Sequence, residues 1–212
     1  MPYLLRVVLP DRPGMLGAVA TALGEAGADI VSLDVVERGP EGAVDDLLVE
    51  LPPGGLVDRL ITSAQSVPGV VVESLRPYSG AGDLHRDLEL VDALAAAPER
   101  ALQVLVDNAP GVFRAGWALL VDDAKVTGAS RGAPEAGEVA LPPGRARRIR
   151  TTESWIPETW QLLGTQLAAA PIGPSAVSVL LGRPGGPTFR DSEVLRLGHL
   201  AALTATVAGV AV

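Results

Sequence analysis

Six consecutive residues, Asp11-Arg12-Pro13-Gly14-Met15-Leu16, bring a carboxylate, a guanidinium and a Pro-Gly turn to the point where a strand gives way to a helix. The first amides of a helix have no intrahelical acceptors and carry the positive end of its dipole. Such a turn suits a small anion, for example a carboxylate. Gly14 lets a ligand come close to the backbone, and the Asp11 carboxylate beside it can take an ammonium group. Together the two features suit a zwitterion. The same residues also have a local use, in which Asp11 caps the helix and Pro13 sits in the favoured first turn.

Little else in the chain has the makings of a reaction centre. There is no cysteine, which removes thiolate nucleophiles, disulfides, cysteine-ligated zinc and iron–sulfur clusters. His85 and His199 are the only histidines, so histidine metal sites and general bases have few means. Asp45-Asp46 and Asp122-Asp123 are adjacent pairs, and neighbours on a strand point to opposite faces. No G-x-S-x-G, H-E-x-x-H or kinase signature occurs. Gly182-Arg183-Pro184-Gly185-Gly186 lacks the Lys-Ser/Thr of a phosphate-binding loop and reads as a hairpin connection. Arg145, Arg147, Arg148 and Arg150 form a basic cluster, fit for a phosphate or an acidic partner, or simply solvated. Trp155 and Trp160 with Ile156 either line a pocket or plug one side of a sheet. No catalytic residue, metal or cofactor is expected, and the protein reads as a non-enzyme.

The elements that must position these residues follow from periodicity. Residues 3–9 are aliphatic and β-branched and end at Pro10, as a strand does. Leu16, Val19, Ala20 and Leu23 have helical spacing, and Gly27 closes the helix. Strands follow at 29–37 and 44–51, with Asp45, Asp46 and Glu50 assigned to a wet side. A helix at 56–67, with Leu56, Leu60 and Ile61 inward, precedes a strand at 69–75. This β-α-β-β-α-β order is ferredoxin-like. Pro77 to Gly82 is rich in breakers, which places domains at 1–78 and 83–212. The second half opens with helical spacing from Asp83 to Ala109, jogged at Pro98. Strands follow at 117–121, 126–129, 162–172 and 176–181. A last helix spans 192–210, capped by Asp191 or Ser192, with His199 on a stripe with Leu195, Leu203 and Thr206.

The net charge is −8 and the pI about 4.8, which opposes nucleic-acid binding. No basic start with an apolar h-region is present, and Leu197–Val212 is shorter than the ~20 residues that span a bilayer. A cytoplasmic location without a membrane partner is the expectation.

Val-Val-Leu-Pro-Asp-Arg-Pro-Gly-Met-Leu-Gly, at 7–17, and Glu-Ala-Gly-Ala-Asp-Ile, at 25–30, resemble the ACT domain, a regulatory module that most often binds amino acids. The resemblance spans about residues 3–76. It implies side-by-side homodimers joined through the second strands, with an amino acid held between the first strand–helix loop of one copy and the second strand of its partner. The implied ligand residues are Asp11, Arg12, Pro13, Gly14, Met15 and Leu16, with Asp29 and Ile30 from the partner's strand. Asp29 stands where many members carry Asn, and its carboxylate either favours a second cationic contact or repels an acidic ligand. Many modules of this kind serve only as dimer interfaces. Ala-Ala-Ala-Pro-Ile-Gly at 168–173, Ala-Val-Ser-Val-Leu-Leu-Gly-Arg at 176–183 and Thr188-Phe189-Arg190-Asp191-Ser192-Glu193-Val194-Leu195 resemble a GAF domain, a PAS-like α/β sensor module. The expected fold is thus α+β: a ferredoxin-like ACT domain, then a GAF/PAS-like α/β domain. The expected function is regulation, by an amino acid or similar small molecule, of an unknown protein effector. The alternative is a ligand-free dimerisation scaffold.

Overall fold

The computed structural model describes residues 2–40, 42–78 and 86–210. The expectations for the 79–82 linker, Leu84 and His85 lie outside them. The chain divides into two compact units, Met1–Leu84 and His85–Val212.

The first unit runs β1 (Pro2–Leu9), α1 (Met15–Glu25), β2 (Asp29–Gly39), β3 (Gly42–Glu50), α2 (Asp58–Gln65), β4 (Val71–Pro77). Its strands form one antiparallel sheet in the order β2-β3-β1-β4, the ferredoxin-like arrangement the periodicity predicts. Alternate residues of β1 (Leu5, Val7, Leu9) and β3 (Ala43, Leu47, Val49) supply one face of the core. Met15, Val19 and Leu23 of α1, with Leu60 and Ala64 of α2, supply the layer packed on it. Leu56, predicted to point inward, is 66% exposed, because α2 begins two residues later at Asp58.

Asp45 and Asp46 correct the expected wet side of β3. Both are buried, Asp45 on the helix-covered face and Asp46 against Arg6 on the other; only Glu50 is exposed as expected. Asp46 faces Arg6 across the ladder. The Arg6 Nε donates to Asp46 Oδ1 at 2.6 Å and NH2 to Oδ2 at 2.8 Å. Asp45 lies opposite Val7, on the face that carries the helices, because directly opposed residues share a face. Its Oδ1 is buried and has no hydrogen-bond partner among the described residues.

Burial pushes the Asp45 carboxyl above its ordinary range; Arg38 opposes this, and the negative charges of Asp46 and Asp11 add to it. A carboxyl whose pKa is raised by folding stabilises the fold when protonated, and that contribution is lost as pH rises through the folded pKa. Asp45→Asn is therefore expected to raise stability at pH 7, with the gain over the parent shrinking as pH falls toward about 4. Denaturant unfolding of both proteins between pH 4 and 8 checks this. A gain independent of pH would mean that the charge is not its source.

The second unit runs α3 (Arg86–Ala96), a single 3₁₀ turn at Pro98–Arg100, α4 (Ala101–Val112), β5 (Trp117–Asp122), β6 (Lys125–Ala129), β7 (Arg147–Ile149), α5 (Glu158–Leu162), β8 (Gln166–Pro171), β9 (Ser178–Arg183) and α6 (Asp191–Val207). The jog at Pro98 is present, but the second helix continues through Pro110 to Val112. The five strands form an antiparallel sheet in the order β6-β5-β9-β8-β7. One face, including Leu120, Ala168 and Leu181, packs under α3, α4 and α6. The other is covered by the long 130–160 segment and α5, through Val139, Ile156 and Trp160. Trp160 lies on Trp117 with ring centroids 4.6 Å apart. Trp117 crosses the strand partner Gly182, where a Cβ would fall 2.1 Å from the ring, so only glycine fits.

Three expectations for this unit change. Gly182 and Arg183 belong to β9, and Pro184–Pro187 leads into α6, so the segment is not a hairpin connection. The strand expected from Leu162 begins at Gln166, because α5 runs to Leu162 and Gly164 turns the chain at φ +58°. The last helix starts at Asp191 with Arg190 as its cap, and Glu193 Oε2 accepts the Arg190 amide at 2.8 Å. No helix among the described residues is long and apolar enough to cross a membrane.

Candidate functional site at the start of helix α1

β1 delivers the chain to Pro10, and the Arg12 amide donates to the Pro10 carbonyl at 2.8 Å, folding the turn. Gly14 then adopts φ +90°, ψ −15° at the head of α1, and no side chain caps the helix. The local use considered for Asp11, as a cap, is thus not realised. The Met15 amide reaches the Arg12 carbonyl only at 3.4 Å, and the amides of Leu16 and Gly17 have no acceptor among the described residues. A Cβ built on Gly14 meets nothing within 4 Å, so the approach to these donors is open. Asp11, Arg12, Pro13 and Gly14 are exposed. Leu16 is half-buried, and the Met15 side chain serves the core, leaving only its backbone to the turn. The arrangement can receive a small anion on the backbone donors, with the Asp11 carboxylate in the same turn.

Asp29 and Ile30 are not brought to this turn within one chain. Asp29 pairs with Glu50, whereas Leu9, two residues before Asp11, pairs with Ala43. Seven residues of strand separate those levels, roughly 23 Å at about 3.3 Å per residue. Asp29 is exposed, and the Ile30 side chain packs on the core. β2 is an edge strand, and Val31 and Val35 on it are 48% and 44% exposed.

Among the described residues, two concave regions flank the arginine-bearing segment 143–148. A cleft of about 520 Å³ includes Arg145 and Arg147 with the Ala140–Gly144 loop and Ser175. A groove of about 900 Å³ lies between Arg145–Arg148 and α6, with His199 on its wall. His199 is half-buried, and it lines the groove with its stripe partners Leu195, which is 61% exposed, and Thr206. Trp160 plugs the sheet face instead of lining a pocket. No cluster of metal-ligating side chains occurs among the described residues. Sequence reasoning marked the arginines but not their juxtaposition with α6, which depends on β7 pairing with β8. It also missed Asp45, which is buried because its face of β3 carries the helices.

Comparison with known proteins bears on the first unit. The ACT domain family model matches residues 3–76. No curated protein matches the chain. Among solved structures, a formyltetrahydrofolate deformylase from Pseudomonas putida KT2440 is 12% identical with a TM-score of 0.31, over 45% of this chain and 38% of its own. An unknown protein from Galdieria sulphuraria is 12% identical with a TM-score of 0.34, over 97% and 90%. The regulatory subunit of aspartate kinase from Thermus flavus is 15% identical with a TM-score of 0.30, over 94% and 92%. The chain spans only 38% of the length of the deformylase. Scores this low carry no argument about function. The family match, the β-α-β-β-α-β order and the sheet order β2-β3-β1-β4 agree, and residues 3–76 are an ACT domain.

Proposed function

We propose that the chain is a non-enzymatic, cytoplasmic regulatory protein whose ACT domain binds an amino acid or a similar small acid between two protomers. The observation that carries this reading is the uncapped start of α1. Gly14 holds a left-handed conformation there, and the Leu16 and Gly17 amides have no acceptor among the described residues. The ligand's carboxylate goes to these amides and its ammonium group to Asp11. The roughly 23 Å between the levels of Asp29 and the turn supports a shared site, in which Asp29 comes from the other copy. The exposed edge of β2 supports pairing through that strand. The second unit acts as a GAF-like coupling module toward a protein effector. Its antiparallel sheet, with α3, α4 and α6 packed on one face, supports that part of the reading.

Ligand that bridges the protomers stabilises the dimer by about 2.7 kcal/mol at a hundredfold excess over Kd. A thermal-shift screen of the twenty amino acids at millimolar concentration is the direct test, and one of them is expected to raise Tm by several degrees. Asp11→Ala removes a charge-assisted hydrogen bond, a loss of about 1.5–3 kcal/mol. It is expected to weaken that ligand at least tenfold by calorimetry while sedimentation still finds a dimer. Loss of the dimer with unchanged affinity contradicts the assignment. A flat screen on a folded dimer favours the scaffold reading, which the exposed β2 edge also supports.

A further inference from the structure

We infer that the groove along α6 binds a small amphiphilic anion: a carboxylate or phosphate head at the arginines, with an apolar body lying along the helix. The inference is independent of the ACT-domain ligand. The groove is built where the lead-in to β7 presses on α6. Gly198 makes that approach possible, because a Cβ there would lie 3.1 Å from the Ala146 Cβ. The volume of about 900 Å³ falls in the range of small-molecule sites, about 300–1,000 Å³.

The two sides of the groove differ chemically. Arg145, Arg147 and Arg148 line it, against a single carboxylate, Asp191. That carboxylate is already engaged by Arg148 NH2 at 2.9 Å, and Arg148 NH1 donates to the Phe189 carbonyl at 3.3 Å. Arg147 is turned onto its own segment, bonding the Pro143 and Arg145 carbonyls, and so fixes the loop that carries its neighbour. Arg145 is exposed, and its side chain has no acceptor or ion-pair partner among the described residues. It is the cation left over for a ligand. Along α6 the wall is mainly Val194, Leu195, Ala202 and Ala205, with His199 and Thr206 among them, and the eleven steps from Val194 to Ala205 at 1.5 Å each give a largely apolar track of about 16 Å.

Charge complementarity selects the occupant. A locally basic head on a chain of net charge −8 suits a small anion that can enter a concave site. An anionic bilayer would meet the repulsion of the whole molecule.

The probe is decanoate, titrated by calorimetry into the full chain below its micelle point, with decanol and acetate as head-less and tail-less controls. Decanoate is expected to bind at least tenfold more tightly than decanol, and acetate not measurably. Arg145→Gln is expected to cost about tenfold in decanoate affinity. Ala202→Phe, at an exposed helix position, fills the track and is expected to abolish binding, with circular dichroism checking that the helix is kept. Equal binding of decanoate and decanol overturns the inference, as does no binding of decanoate. Unchanged affinity in Arg145→Gln overturns it even if Ala202→Phe fails to fold. Co-sedimentation with phosphatidylglycerol vesicles without decanoate binding also overturns it, in favour of a membrane surface.

Discussion

Asp46→Ala is expected to cost the ACT domain about 3–5 kcal/mol, a large share of its stability. Arg6 and Asp46 sit opposite one another on the two central strands, each 1% exposed, joined by two parallel hydrogen bonds of 2.6 and 2.8 Å. Truncating the carboxylate removes the charge that both of these hydrogen bonds from the buried guanidinium serve, which costs about 3–5 kcal/mol. A unit of this size is stable by about 4–11 kcal/mol, at roughly 0.05–0.15 kcal/mol per residue. The loss therefore takes much or all of the total. The pair itself need not be a net gain over an apolar one, because two charges had to be taken out of water to make it. Arg6→Met with Asp46→Leu is accordingly expected to recover most of the stability that Asp46→Ala loses. Urea unfolding followed by circular dichroism measures both. A loss below about 1 kcal/mol in Asp46→Ala would place the pair in the class of exposed ion pairs, against its burial. Asp45, one residue away, gives the opposite sign on neutralisation. Its carboxylate has no buried partner for Oδ1, so removing its charge helps where removing the charge of Asp46 harms.

That contrast marks what was legible in the sequence. The aliphatic, β-branched run at 3–9 ending at Pro10 and the spacing of Val19 and Leu23 give the first strand and helix nearly to the residue, because these are local patterns. The turn at Gly14 was legible for the same reason, since Asp-Arg-Pro-Gly leaves few conformations. Whether Asp11 caps the helix was not legible, because that depends on the direction in which Gly14, at φ +90°, sends the chain. Two adjacent aspartates on a strand read as a wet face until register sets Asp45 beside the core residue Val7 and Asp46 beside Arg6. The partner of Asp46 is forty residues away in sequence, and only register finds it. The second unit was harder. Its 130–160 segment packs through Trp160 and Val139 without a period to announce it. Gly182 and Arg183 read as loop in sequence because a glycine in a strand resembles punctuation; here it makes room for Trp117.

Glu193→Ala is expected to be the matching failure of the second unit, for a reason that reaches three elements at once. Glu193 Oε1 accepts from Arg183 NH2 at 2.6 Å while Oε2 accepts from the Arg190 amide at 2.8 Å. One carboxylate thus closes the first turn of α6 and neutralises a fully buried guanidinium. Arg183 in turn donates to the Phe113 carbonyl at the end of α4, at 2.6 Å, and to the Pro187 carbonyl at 3.1 Å. Its guanidinium carbon lies 3.9 Å from the centre of the Phe189 ring. The Phe189-to-Glu193 spacing seen in the sequence therefore has a physical use: ring and carboxylate receive the same cation from two sides. Removing the carboxylate leaves Arg183 charged and 0% exposed, again a loss of about 3–5 kcal/mol, with a helix cap lost in addition, about 1 kcal/mol. Glu193→Gln keeps an acceptor for the Arg190 amide and is expected to lose less than alanine. Asp191→Ala, two residues earlier, removes an ion pair whose partners are 49% and 79% exposed. It is expected to cost under about 1 kcal/mol, and less still in high salt. Thermal unfolding of the three variants in low and high salt separates the contributions. Equal losses for Glu193→Ala and Asp191→Ala would mean that burial of Arg183 does not govern the stability of this unit.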